Sequence, residues 1–104
     1  MKTMKELNME ERPYEKCERF GPENLTDSEL LAVLLRTGTR GENIVELAKR
    51  ILYSDQFQGG LLGIHRWSFE QLTRIKGIGK VKATQILCLC ELAKRLSKAS
   101  AGPE

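Results

Sequence analysis

The sequence predicts an all-α fold, a compact domain of five helices. Three observations carry this. No segment alternates apolar and polar residues with the period of two that a half-buried strand requires, whereas apolar residues recur at three- and four-residue intervals. Thr26 with Glu29, and Ser68 with Gln71, carry the spacing of capping boxes that open helices. The length of 104 residues is that of one small domain, able to bury roughly 65% of its unfolded surface.

The elements follow in order. Pro13, favoured in a first helical turn, opens a helix that runs through PYEKCERF to Gly21. The second helix has Thr26 as N-cap and Glu29 as its partner, with Leu25 and Leu30 spaced for a hydrophobic staple. It continues through LLAVLLR and should stop near Gly38. After the turn TGTRG, the stretch ENIVELAKRIL places Ile44, Leu47, Ala48 and Ile51 on one helical face. YSDQFQGG reads as a loop and LLGIHR as one short helical turn. Ser68 caps the next helix, which runs to about Ile75, with Gln71 completing the box and Trp67 and Leu72 the staple. The last helix is expected from about Lys80 to Leu96. Its polar stripe is Thr84, Cys88, Glu91, Arg95 and Lys98, and its apolar one includes Ile86, Leu87, Cys90 and Ala93. SKASAGPE is small and polar and reads as a frayed tail, which puts the domain at 1–98 and a tail or linker at 99–104.

Composition narrows the functional classes. Hydrophobic residues make up 40% and charged residues 30%, and no apolar run approaches the length of a membrane span. The N-terminal stretch is charged and lacks a signal peptide's apolar core, so the expected location is cytoplasmic. The three cysteines, Cys17, Cys88 and Cys90, form no C-x-x-C pair, and His65 is the single histidine. Cys88 and Cys90 would point about 200° apart on a helix, so no zinc site is expected at these residues. The net charge of +3 is unevenly spread. Residues 66 to 98 hold eight basic and two acidic side chains, a net +6, which points to a polyanionic partner.

That charge surrounds the stretch RIKGIGKVKATQIL, residues 74 to 87. Leu72 and Ile75 would bury the end of one helix, Ile78 would pin the corner to the core, and Ala83 would keep the next helix slim where it crosses. Gly77 and Gly79 would allow backbone conformations closed to other residues and would leave room for a ligand. The N–H groups at the start of the next helix lack intrahelical partners, and the helix dipole adds positive potential there, so a phosphate is the fitting ligand. The candidate site is Lys76, Gly77, Ile78, Gly79, Lys80 and Lys82. A similar helix, glycine corner and helix at LLRTGTRGENIVELA suggests a second, weaker clamp at Arg36, Thr37, Gly38, Thr39, Arg40 and Gly41. That first copy, about 27–52, lacks the apolar residue between two glycines and is degenerate beside the second, about 68–96. Two ordinary helix–turn–helix pairs would give the same pattern.

The stretch 74–87, with the capped helix before it, resembles the helix–hairpin–helix motif of DNA-binding proteins that grip phosphates without reading sequence. A Walker loop is excluded because no G-K-[ST] follows, and a dinucleotide fold is disfavoured because no strand precedes the glycines. The resemblance implies that the carbonyls of Ile75, Ile78 and their neighbours can coordinate a monovalent cation that bridges to a phosphate.

A wider likeness covers about Lys5 to Leu96. ELNMEERPYEK, LTDSELLAVLLRTGTRG, LAKRIL and IKGIGKVKATQILCLCELAKRL resemble, in that order, the N-terminal domain of the bacterial RadC family. At Tyr14 the chain departs from the basic residue often found after ERP. The resemblance implies an all-α domain related to the tandem helix–hairpin–helix domain of RuvA, and a part in DNA repair. It also implies a following metal-dependent hydrolase-like domain of the JAMM type, which needs a Glu, an H-x-H pair and a downstream Asp. With one histidine, and Asp27 and Asp55 as its aspartates, this chain does not carry that zinc machinery.

Three functions are therefore in view. The leading one is a non-catalytic DNA-binding module for duplex or branched DNA, with repair proteins as further partners. A base-excision glycosylase would share the corner but needs a later Asp, and none follows residue 55. A helical protein-interaction module is the third.

Overall fold

The computed structural model describes residues 12–36, 38, 42–53, 60–64 and 66–101. Among them the chain is wholly helical, with five helices and a one-turn segment: α1 (Pro13–Phe20), α2 (Asp27–Leu35), α3 (Ile44–Tyr53), the single turn α4 (Leu61–Ile64), α5 (Phe69–Thr73) and α6 (Lys80–Ala101). A 3-10 turn, Pro22–Asn24, joins α1 to α2. No helix among the described residues is long and apolar enough to cross a membrane.

The starts of the helices follow from local chemistry. Pro13 opens α1, and Gly21, whose N–H donates to the Cys17 carbonyl at 2.8 Å, closes it. Thr26 accepts from the Glu29 N–H at 3.2 Å while the Glu29 carboxylate accepts from the Thr26 N–H at 2.9 Å. Ser68 and Gln71 repeat that exchange at α5, at 3.1 and 2.9 Å. A third box caps α3: Asn43 Oδ1 accepts from the Glu46 N–H at 2.9 Å, and Glu46 Oε1 accepts from the Asn43 N–H at 3.3 Å. The sequence reading placed that helix correctly without identifying its cap.

The ends differ more from expectation. α2 stops at Leu35 rather than near Gly38, because Arg36 turns to a φ of 70° that no helix can accommodate. α5 stops at Thr73, two residues short of the expected end, and the chain enters the corner through Arg74 and Ile75. α6 runs past Leu96 to Ala101, so the small polar stretch expected to fray is helical up to the last residue before Gly102 and Pro103. No breaker lies between Gly79 and Gly102, and serine, lysine and alanine extend a helix at little cost. The stretch 54–59 read as a loop lies outside the described residues.

The core is one cluster built mainly from α2 (Leu31, Ala32, Leu35) and α3 (Ile44, Leu47, Ala48, Ile51, Leu52), closed by Ile64, Trp67, Leu72, Ile75, Ile78, Ala83 and Ile86. The four α3 residues assigned to one face are all buried. On α6 the expected apolar stripe is only partly used. Ile86 is buried, Leu87 and Cys90 are half-buried, and Ala93 is exposed. From Glu91 to Ser100 every residue of the helix is exposed, Leu92, Ala93 and Leu96 among them.

Lys16 of α1 holds both Glu29 carboxylate oxygens at 3.1 Å and so ties α1 to α2. Burial pushes the Glu29 carboxyl up, but the Thr26 N–H and the Lys16 ammonium outweigh it and hold it below the ordinary glutamate value. A carboxylate with a lowered folded pKa contributes stability that is present above its unfolded value, about 4.3, and is lost as pH falls through the folded one. Glu29→Gln keeps a capping-box side chain but not the ion pair. It should cost roughly 0.5–1 kcal/mol at neutral pH and flatten the acid limb of the stability curve. Urea midpoints of both proteins from pH 7 down to pH 3 measure this, and parallel limbs would reject it.

Candidate functional site

The corner between α5 and α6 is assembled from short-range bonds and three buried anchors. The Arg74 N–H donates to the carbonyls of Glu70 and Gln71 at 3.2 and 3.3 Å, and the Ile75 N–H to that of Leu72 at 3.1 Å. The Ile78 N–H then reaches back to the Ile75 carbonyl at 3.0 Å and closes the turn. Leu72, Ile75 and Ile78 are buried, as are Ala83 and Ile86 on the helix that follows. Between these anchors Lys76, Gly77, Gly79 and Lys80 face solvent.

The two glycines serve different ends. Gly77 has a φ of 93°, a conformation that favours glycine. Gly79 does not have a left-handed backbone, which corrects the expectation that both glycines are needed for conformation. Its carbonyl accepts the Ala83 N–H at 3.0 Å, which makes it the N-cap of α6, and a Cβ placed there would meet nothing within 4 Å. The space in front of Gly79 is open to an external group.

The N–H groups of Lys80, Val81 and Lys82 form the first turn of α6, where no upstream carbonyl can pair with them along the helix. Val81 is 72% exposed, so the mouth of this turn is uncovered. Lys82 does not stand at the rim as expected. It is half-buried, with Nζ 3.4 Å from the Leu35 carbonyl at the C-terminal end of α2, and burial lowers its pKa. An ammonium there complements the negative end of the α2 dipole.

Of the second candidate clamp, Arg36 and Gly38 are described, and Thr37, Thr39, Arg40 and Gly41 lie outside the described residues. The Arg36 guanidinium sits over the Tyr14 ring, 5.6 Å from its centroid, so the tyrosine gives this arginine a cation–π platform. Gly38 faces inward, and a Cβ there would lie 2.3 Å from the Glu42 carbonyl oxygen. The two glycine corners are therefore not equivalent.

Sequence reasoning missed Arg50. From α3 its Nε donates to Glu42 Oε2 at 3.0 Å and its Nη2 to Glu42 Oε1 at 2.8 Å, and Nη2 also donates to the Lys76 carbonyl. The hydrogen bond to Glu42 raises the arginine's pKa, with desolvation opposing it. The Lys76 partner is 26 residues away, and no local pattern signals such a contact.

Of the corner carbonyls, that of Ile75 is engaged by Ile78 and that of Lys76 by Arg50. Each carbonyl oxygen has a second lone pair, so the oxygen-only donor set remains compatible with a hard cation. Cys90 Sγ lies 3.8 Å from the Ile64 carbonyl, and burial raises its thiol pKa. Cys88 is exposed, and His65 lies outside the described residues. Among the described residues no three His, Cys, Asp or Glu side chains are grouped to hold a metal ion.

Comparison with known proteins adds identity to this geometry. The chain is 48% identical over 101 residues to a UPF0758 protein of Clostridium botulinum, covering 97% of this chain and 43% of that protein. It is 53% identical over 90 residues to a UPF0758 protein of Clostridium acetobutylicum, covering 86% of this chain and 38% of the relative. The chain thus spans less than half the length of these curated relatives. No solved structure matches it. The profile of the UPF0758 N-terminal family matches residues 4–84, which takes in the first turn of α6 and the whole corner before it, and the chain belongs to the UPF0758 family.

Proposed function

We propose that this chain is a non-catalytic DNA-binding module of a RadC-like repair protein. It grips backbone phosphates at the corner before α6, as a helix–hairpin–helix motif does. The observation that carries this reading is the open approach to Gly79 and the first turn of α6, flanked by the exposed Lys76 and Lys80. Backbone N–H groups, the dipole of a 22-residue helix and two exposed lysines belong to one open corner. Such contacts position a protein on nucleic acid without reading bases. A cytoplasmic site of action and a likeness to the RuvA tandem domain belong to the same proposal. So does a monovalent cation shared between the corner carbonyls and a phosphate.

The greater length of the relatives leaves room for a second activity. In keeping with the RadC resemblance, we assign to that additional length a JAMM-type metal-dependent hydrolase-like domain. Zinc would serve that domain and not this one.

Salt dependence tests the proposal. If the module neutralises roughly 4 phosphates, log K against log salt should slope at about −3.6 on duplex DNA. Lys76→Ala with Lys80→Ala should keep the helical circular dichroism and reduce the slope by about 1.8, two phosphates' worth. A folded double variant that binds as tightly as the parent would falsify the electrostatic grip.

One observation favours a second reading, a protein-interaction module. Leu34, Leu61, Leu92 and Leu96 are each at least half exposed. Leu34, Leu89 and Leu92 line one groove between α2 and α6, and Leu34 and Leu61 border a larger one. A salt-insensitive or undetectable DNA affinity would favour this reading.

A further inference from the structure

We propose that Arg50 is a positioning residue for the anion-binding corner, locking the segment before α3 to the corner before α6 through its simultaneous bonds to Glu42 and Lys76. The inference rests on the phosphate-binding reading above for its consequence, but not for its geometry. The guanidinium fork engages both oxygens of the Glu42 carboxylate, at 2.8 and 3.0 Å, and the nitrogen of the shorter bond also donates to the Lys76 carbonyl. Arg50 and Glu42 are 36% and 21% exposed, so the pair is partly shielded from water and worth more than a surface ion pair.

The corner has a specific need for this bond. Ile75 and Ile78 fix its two sides in the core, but Lys76 and Gly77 between them are exposed. Glycine at a φ of 93° restrains its neighbours little. The bond from Arg50 anchors the Lys76–Gly77 peptide unit from outside the corner. A second tie runs the same way, from Lys82 in the first turn of α6 to the last carbonyl of α2. Together they fasten the α5–α6 corner to both ends of the α2–α3 connection. Backbone donors held in one arrangement bind a phosphate without first losing conformational freedom. Lysine cannot replace arginine here, because a single ammonium cannot span a carboxylate in a fork while donating to a carbonyl in the same plane.

The test uses Arg50→Lys, which keeps the charge and removes the fork, and Glu42→Gln, which keeps Arg50 and weakens its anchor. In the free protein, exchange of the Ile78 amide, whose bond to the Ile75 carbonyl closes the turn, should rise about tenfold in Arg50→Lys, as one charge-assisted hydrogen bond to the corner is lost. The core amides of Leu47, Leu52 and Ile86 should exchange as in the parent. Affinity for a short DNA duplex should fall about fivefold with the salt slope unchanged, because the number of phosphates neutralised stays the same. Glu42→Gln should show the same pattern with smaller amplitude. Unchanged exchange of the Ile78 amide in both variants overturns the proposal. A slope reduced by about 1 in Arg50→Lys also overturns it, since Arg50 would then be contacting a phosphate itself. If the parent does not bind duplex DNA, the functional reading fails, and the exchange measurement alone decides whether Arg50 locks the corner.

Discussion

On the proposed phosphate-binding reading, Gly79→Val should weaken duplex DNA binding by about 10- to 100-fold while the domain stays folded. The magnitude is that of one phosphate held by charge-assisted backbone hydrogen bonds, about 1.5–3 kcal/mol. The reason for separating binding from folding is geometric. A Cβ at Gly79 meets nothing within 4 Å, and its backbone is not left-handed, so the valine side chain causes no clash inside the protein. It projects into the space through which, in the proposed mode, a phosphate would reach the first turn of α6. Valine is a poorer N-cap than glycine, which costs roughly 0.5–1 kcal/mol and lowers the melting temperature by at most about 8 °C. Fluorescence anisotropy with a labelled duplex and thermal circular dichroism on the same samples measure both effects. Parent-like affinity in a folded Gly79→Val would place the phosphate elsewhere. Gly79→Ala should lie between the two.

How much of this was legible in the sequence depends on how local each cause is. Thr26 with Glu29, and Ser68 with Gln71, announce their helices because both partners lie within four residues. The corner anchors Leu72, Ile75, Ile78, Ala83 and Ile86 were legible because all five fall within one 15-residue stretch around the two glycines, and all are buried. Helix ends were harder to read, because α2 is stopped at Arg36 by its backbone conformation and not by its side chain, and α6 continues for want of a breaker. Ala93 satisfies the apolar period but lies in the part of α6 that is exposed from Glu91 onward, so periodicity promised it a burial the fold does not supply. Lys82 and Arg50 could not be placed from sequence. Both look like solvated cations on helix faces, and both reach backbone carbonyls outside their own helix, 47 and 26 residues away. Their roles depend on tertiary placement, and the sequence carries that only through the fold as a whole.

Gly38→Ala should do the opposite of Gly79→Val: it destabilises the domain strongly. Both glycines flank helix starts in similar-looking stretches, and the sequence assigned both to phosphate contacts. In the structure the Cβ position of Gly38 lies 2.3 Å from the Glu42 carbonyl oxygen, 2.7 Å from the Asn43 carbonyl carbon and 2.8 Å from the Ile44 nitrogen. All three are backbone atoms, so no side-chain rotation relieves the clash, and the segment leading into α3 must move. That segment holds three things at once. Glu42 anchors Arg50, Asn43 caps α3, and Ile44 is 3% exposed in the core. Overpacking of this kind costs about 3 kcal/mol. In a domain of this size that lowers the melting temperature by about 12–24 °C. The melt is followed by circular dichroism, and duplex binding is measured at a temperature where Gly38→Ala is still mostly folded. There the α5–α6 corner keeps its glycines and lysines, so the remaining affinity should be within a few-fold of the parent, the deficit reflecting the disturbed Glu42 anchor of Arg50. A Gly38→Ala protein that melts within 2 °C of the parent but loses DNA binding would reverse the assignment. It would mean that the α2–α3 connection, and not only the α5–α6 corner, presents its backbone to the phosphate.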